Sequence, residues 1–258
     1  MLVMKFGGAS VETPKSFLKI AGIVIERSSH HKKIAVVVSA MANTTDQLFK
    51  LARNVHPNPP AREQDMLVSV GERISISLLA MALAYQGVEA VSFTGSQSGI
   101  ITCEKHSDAS IVDIRPKRIQ KVLDEGKTAI IAGFQGVSQK GEITTLGRGG
   151  SDTSAVALAV GLGARCVEFY KDVPGIFEED PKVHPQAKIY PQLSYTQALQ
   201  IAEGGAEVLH KRCIELAAKN KVQLCIHSFN EPTEVGTVVG EKESASSKCY
   251  EVETCSLV

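Results

Sequence analysis

The chain has 258 residues and a mass of 27.6 kDa, room for one large α/β domain or two intimate lobes around a full core. Lysine plus arginine balances aspartate plus glutamate at 28 each, so composition gives no case for a nucleic-acid partner or an anionic membrane surface. Six cysteines (103, 166, 213, 225, 249 and 255) form no CxxC and no metal spacing, and are expected to be reduced structural thiols in a cytoplasmic setting. The N-terminus lacks the basic start and apolar stretch of a signal peptide, and no apolar run is expected to reach the roughly 18 residues of a membrane span.

Leu2 to Lys5 is a short apolar strand, followed by Phe6-Gly7-Gly8-Ala9-Ser10 and a helix with apolar Phe17, Ile20, Ala21, Val24 and Ile25. Neither GxxxxGK[ST] nor GxGxxG is present. Two adjacent glycines after a strand nevertheless expose backbone N–H groups, and Lys5 adds a point charge, so phosphate is the expected partner. Ile34 to Val38 is a continuous β-branched run, the pattern of a strand covered on both faces. It ends in hydroxyl-rich Ser39 to Thr45, with a helix expected from Thr44 or Thr45. Glu63 to Tyr85 reads as a long helix interrupted at Gly71-Glu72, with Met66, Val70, Ile74 and Leu78 spaced by four. Glu72 is there either a solvated side chain or a carboxylate aimed into a cleft to hold an ammonium.

Val88 to Phe93 is a strand leading to a polar loop, Thr94 to Gly99. Pro116 to Gly126 is a helix opened by proline and closed by glycine. Lys127 to Gly136 is a buried strand ending in glycines, and a hairpin is expected through Lys140-Gly141. The densest motif follows, Thr144-Thr145-Leu146-Gly147-Arg148-Gly149-Gly150-Ser151-Asp152-Thr153-Ser154. Its glycines allow close backbone approach, Arg148 offers a bidentate fork for carboxylate or phosphate, and Ser151 or Asp152 is placed to cap a helix beginning near Thr153. Beyond it come a strand from Cys166 to Tyr170, a turn segment through Asp180-Pro181-Lys182, helices near 195–202 and 207–220, a strand from Val222 to Ser228, and a polar, loosely held tail from Glu241. Strands alternating with helices imply a largely parallel, twisted sheet covered on both sides, with ligands at the strands' carboxyl ends.

These residues resemble the catalytic domain of the aspartokinases within the wider amino-acid-kinase family. Lys5 to Val11 is similar to the family's K-F-G-G-[TS]-S-V opening, and Leu146 to Ala155 to its L-G-R-G-G-S-D-T-S-A signature. Lys171 to Phe177 with Asp180-Pro181-Lys182 is similar to its nucleotide segment, and Gly205 to His210 to its G-A-x-V-L-H stretch. The resemblance covers about residues 1 to 240. It implies a three-layer α/β/α sandwich of the carbamate-kinase-like type, with an N-terminal acceptor lobe, a C-terminal ATP lobe from about residue 165, and a polar tail over 241–258. It also implies transfer of the γ-phosphoryl of ATP to the side-chain carboxylate of L-aspartate, an early step toward lysine, threonine, methionine and diaminopimelate.

By the same resemblance Lys5 and Asp152 are catalytic, with Asp152 orienting Lys5. Ser39, Thr45, Glu72, Arg148, Gly149 and Ser151 would hold aspartate, with Arg148 on its carboxylate and Glu72 on its ammonium. Lys5, Gly7, Gly8, Ser10, Lys171, Asp172, Phe177, Lys182, Glu207 and Val208 would contact ATP. Mg²⁺ would arrive with ATP, since no ligand cluster is visible. Departures from the family pattern are Ala9 for a hydroxyl residue, Lys171 and Phe177 for threonine and tyrosine, Lys182 for arginine, and Lys211 for proline. The paired regulatory ACT domains that usually follow are expected to be missing, so control would lie elsewhere or on a separate regulatory subunit, and a homodimer stays open. The alternatives are a family member with another acceptor, such as an acylated amino acid, carbamate or UMP, or a non-catalytic relative that binds amino acid or nucleotide.

Overall fold

The computed structural model describes residues 1–181, 183–206, 208–241 and 250–251. The β-branched and apolar runs form strands β1 (Leu2–Phe6), β2 (Ile34–Val38), β3 (Ala90–Phe93), β4 (Ile100–Thr102), β5 (Ile111–Ile114), β6 (Thr128–Ala132), β7 (Gln135–Ser138), β8 (Ile143–Thr145), β9 (Cys166–Lys171), β10 (Gln192–Leu193), β11 (Gln223–Ser228) and β12 (Val235–Val239). Between them lie helices α1 (Pro14–Ser28), α2 (Thr44–Val55), α3 (Ala61–Val68), α4 (Val70–Tyr85), α5 (Gly95–Ser98), α6 (Lys117–Asp124), α7 (Gly150–Leu162), α8 (Tyr195–Glu203) and α9 (Lys211–Asn220). Eight strands make one sheet in the order β10-β12-β11-β9-β1-β2-β6-β3, parallel throughout except where β11 meets β12. A second sheet, β5-β4-β7-β8, carries the expected hairpin through Lys140-Gly141 as β7 and β8.

The period-2 geometry of β1 divides the core. Leu2, Met4 and Phe6 pack with α1 and α4, where Phe17, Ile20, Val24, Leu79 and Leu83 are buried. Val3 joins the opposite layer with Ile119 and Leu123 of α6, the alanine-rich face of α7, and Ile214 of α9. Lys5, on the same face of β1 as Val3, therefore points toward α7. These layers are the three-layer α/β/α sandwich that the family resemblance implied, with β1 central and the glycine loop at its carboxyl end.

Several expectations are corrected. The break in the long helix falls at Ser69 instead of Gly71-Glu72, and α9 starts at Lys211, capped by His210. Met66, Val70 and Ile74 are among the exposed residues, while Gly71, Glu72, Ser75, Ile76, Leu79, Ala82 and Leu83 face inward. The helix is apolar on both sides, so its stripe of four-residue spacing did not identify the buried face. For the same reason the stretch Ala61–Tyr85 is long and apolar enough, by composition, to cross a membrane; half of its most apolar window is buried here, as in a core helix. Helix α7 begins at Gly150 with Gly149 as its N-cap and no side-chain cap, so Ser151 and Asp152 lie in its first turn and cap nothing. Of the tail expected to be loosely held, residues 242–249 and 252–258 lie outside the described residues, while Tyr250 packs on the core and Glu251 is hydrogen-bonded to Ile111.

Candidate active site

A cleft of about 920 Å³ opens at the carboxyl ends of β1 and β9, lined among others by Lys5, Gly7, Gly8, Ser10, Lys171, Asp172, Phe177 and Val208. Eight of the ten residues expected at ATP thus border one cavity; Lys182 and Glu207 lie outside the described residues. Ser10 is buried and its hydroxyl donates to the Tyr170 carbonyl at 3.2 Å, which ties the glycine loop to the end of β9. Phe177 pairs with Ile189 in an isolated antiparallel bridge, and the amide of Ile176 donates to Thr237 Oγ1 at 2.9 Å, so the turn segment is fixed to β12.

At the cleft floor Lys5 Nζ sits 2.5 Å from Asp152 Oδ1 and Lys171 Nζ 3.0 Å from Oδ2. All three side chains are largely buried, Lys5 from the central strand, Lys171 from the end of β9, and Asp152 from the first turn of α7. Burial alone would raise the Asp152 carboxyl, but Lys171 and Lys5 overcome it and hold it well below the usual carboxylate range. Burial lowers the Lys5 ammonium, with Asp152 opposing and Lys171 adding to the shift. Two lysines on one carboxylate leave a net positive charge facing the glycine amides, which suits a phosphoryl group in transit. Lys171 was expected only as a nucleotide contact; its place on Asp152 could not be read from a lysine that ends a strand.

Of the residues expected at the acceptor, Ser39 and Glu72 meet around Ala40 after β2, Ser151 meets Gly133 after β6, and no contact among the described residues joins Arg148 to either. The Ser39 amide donates to the Phe6 carbonyl at 3.1 Å, and a side chain at Gly8 would lie 3.5 Å from the Ala40 carbonyl, so the two loops are in contact. Ala40's amide donates to Glu72 Oε1 at 3.1 Å. Gly71 makes this reach feasible, since a Cβ there would stand 2.7 Å from the Ala40 methyl. Glu72 is 2% exposed, its Oε2 has no partner among the described residues, and burial pushes its carboxyl up to about 8. Of the two sequence readings of Glu72, the solvated one is excluded. Thr45 is half-buried in the first turn of α2, and Ser151 packs against Gly133. Gly149 takes φ +69 with the His210 ring where a Cβ would be, and Arg148 beside it is exposed, with no ion pair among the described residues.

One supporting residue escaped the sequence reading. Asp65, fully buried, accepts from the Ser107 and Thr145 amides (3.0 and 3.1 Å) and the Thr145 hydroxyl (2.6 Å), with His106 Nδ1 at 2.8 Å. It fixes the strand that leads into the Leu146–Gly150 loop. Its partners lie 41 to 80 residues away, so no local pattern marks it.

A mostly parallel three-layer sheet with glycine loops and buried lysines at its strand ends is the class of structure built by the amino acid kinases. The description "amino acid kinase family" matches residues 1–228, and the chain belongs to that family. Within it the chain is similar to aspartokinases. It is 48% identical over 244 residues to the aspartokinase of Geobacillus stearothermophilus, covering 95% of this chain and 60% of that one. It superposes on aspartate kinase from Synechocystis with a TM-score of 0.84 at 43% identity, covering 96% of this chain and 40% of that one. For E. coli aspartokinase III in complex with aspartate and ADP the values are 0.83 and 28%, with 95% and 65% covered. The chain spans less than two thirds of the length of each.

Proposed function

We propose that this chain transfers the γ-phosphoryl group of ATP to the β-carboxylate of L-aspartate, giving 4-phospho-L-aspartate and ADP. The observation that carries the reading is the pair of unlike sites beside the touching Gly8 and Ala40 loops, a net-positive Lys5–Asp152–Lys171 cluster on the cleft floor and a buried Glu72 held by Ala40 with no cation among the described residues. The first suits a polyphosphate and the second a substrate ammonium. The likeness to an aspartokinase that holds aspartate and ADP supports the same pairing.

In this reading the acceptor carboxylate is already ionised at neutral pH and needs no general base. One of its oxygens attacks the γ-phosphorus, the bond to the β,γ-bridging oxygen breaks, and that electron pair leaves with ADP. Lys5, Lys171 and the Gly7 and Gly8 amides hold the phosphoryl oxygens, and Asp152 keeps the two lysines together. Ser10 braces that loop. Arg148 takes the substrate α-carboxylate beside Gly149 and Ser151, Glu72 takes its ammonium, and Ser39 and Thr45 face its remaining polar atoms. Asp172, Phe177 and Val208 hold the nucleotide, with Lys182 and Glu207 assigned to it by resemblance alone. We assign the acceptor to the N-terminal part of the chain and the nucleotide to the part from about residue 165. Among the described residues no three His, Cys, Asp or Glu side chains converge on a metal position, so Mg²⁺ is assigned to ATP's own phosphate oxygens. We place the reaction in the cytoplasm, where the unpaired cysteines 103, 166, 213 and 225 would stay reduced.

The test is ATP consumption by the purified chain over a panel of amino acids, with hydroxylamine trapping the acyl phosphate as a hydroxamate. Aspartate-dependent ADP release with stoichiometric hydroxamate is expected. ADP release with another acceptor, or none with any, overturns the reading.

A further inference from the structure

The Leu146–Gly149 loop is wedged between two segments that the reaction itself does not use. A side chain at Gly147 would lie 3.2 Å from Asp108 Oδ1 and from the Ser107 carbonyl, and Gly149 lies against the His210 ring. Arg212, in the first turn of α9, joins these walls. Its Nη1 donates to the Leu146 carbonyl and its Nη2 to the Ala109 carbonyl at 2.8 Å. The guanidinium is then completed by Glu251, with Nε donating to Oε1 at 2.8 Å and Nη2 to Oε2 at 3.0 Å. Glu251 is itself fixed on β5, its Oε2 accepting from the Ile111 amide at 2.6 Å and its amide donating to the Ile111 carbonyl at 3.1 Å. Both side chains are mostly buried, 21% and 12% exposed.

The fork geometry of a guanidinium lets one residue bind two carbonyls and a carboxylate only if its plane is fixed. Carbonyls carry partial charge and leave a buried cation under-compensated, and Asp108 stands off at 3.7 Å. Glu251 supplies both the opposite charge and the orientation. We propose that Glu251 is a positioning residue for the acceptor loop: by neutralising and aiming Arg212, the segment beyond β12 sets how tightly Leu146–Gly149 holds an amino-acid carboxylate. This rests on the assignment of that loop to the acceptor. The coupling is reciprocal, so occupancy of the loop also tightens the docking of Glu251.

The test uses the full chain carrying Glu251→Gln, which keeps an oxygen for the Ile111 amide but loses the charge. The KM for aspartate should rise about fivefold or more, with kcat and the ATP KM little changed and amides 147–150 exchanging hydrogen faster in the free protein. Aspartate should slow exchange of the Glu251 amide in the unmodified chain. Arg212→Lys, which cannot fork, should reproduce the effect, and combining the two should add nothing further. An unchanged aspartate KM in Glu251→Gln overturns the proposal, as does a parallel loss in kcat, both KM values and Tm, or additivity in the double variant. Should the unmodified chain consume no ATP with aspartate, the acceptor reading falls on its own. The exchange comparison then decides for Glu251, with faster exchange at 147–150 retaining the positioning role and unchanged exchange removing it.

Discussion

Two carboxylates, Asp152 in the first turn of α7 and Glu72 in the first turn of α4, are buried to nearly the same degree, yet they are in opposite condition. Asp152 holds two lysines and stays ionised; Glu72 accepts from an amide, has an unpartnered oxygen and no cation among the described residues, and burial pushes its carboxyl up to about 8. Burial penalises a carboxylate wherever it occurs, so the sign of the shift is set by whether the protein supplies the counter-charge. Asp152 is thus complete in the free protein and organises other groups, whereas Glu72 in the proposed reading is completed by the ammonium of a ligand.

The comparison can be broken most sharply at Asp152. Asp152→Asn leaves two buried lysines uncompensated and should cost about 3–5 kcal/mol of stability, read by denaturant unfolding. The sign can be checked with pH: a depressed carboxyl contributes stability above its unfolded value near 3.9 that is lost as pH falls through the folded value. The unmodified chain should therefore lose stability in acid and Asp152→Asn less so. Lys5→Met should lower kcat roughly 10²-fold or more with little change in equilibrium aspartate binding, because its charge matters most as charge moves; near-normal turnover would remove Lys5 from the chemistry.

Glu72 predicts the opposite pH behaviour. Its folded value of about 8 lies above the ordinary 4.5, so the folded chain holds a proton that the unfolded chain has released. Stability is therefore lost as pH rises between those values. If Glu72 holds the substrate ammonium as proposed, aspartate binding should strengthen up to about pH 8, by close to tenfold per unit well below it. Calorimetry in buffers of different ionisation enthalpy should record proton release on binding, and Glu72→Gln should abolish both the release and the slope. Arg148→Ala should have a smaller effect, about fivefold on the aspartate KM, since its side chain is exposed and such pairs are worth about 1 kcal/mol or less. A raised ATP KM instead would move Arg148 to the nucleotide. The smallest effect is expected at Lys33, which meets Asp124 at the same 2.5 Å as Lys5 meets Asp152, but in solvent. Lys33→Ala should leave Tm within experimental scatter, isolating burial as the variable.

The parallel core was legible because Ile34–Val38 and 129–132 are continuous apolar runs, a pattern that a doubly covered strand needs. The sheet of β4 and β5 was not read, since runs of three and four residues fall below what alternation can establish. Glycine loops and lysines at strand ends announced the cleft, as their chemistry is local. Which face of α4 is buried was hidden by apolar residues on both sides, so Glu72 stayed ambiguous until its contact with Ala40 was seen. Asp65, Arg212 and Glu251 act through partners 39 to 140 residues distant, and distance in sequence erased them.

The central position of β1 bears on how the molecule is made. Its neighbours are β2, which follows within forty residues, and β9, which begins at Cys166. As the chain leaves the ribosome, β1 and β2 can pair early, but the charge that stabilises Lys5 arrives only with Asp152, and the second flank of the strand later still. A nascent chain that ends before Asp152 must keep the Lys5 end of β1 hydrated, because an ammonium cannot be buried without a counter-charge. The Lys5–Asp152–Lys171 cluster is therefore also a late closing point of assembly. Lys5 should be acylated readily in stalled nascent chains that end before Asp152, and should resist acylation in the released protein.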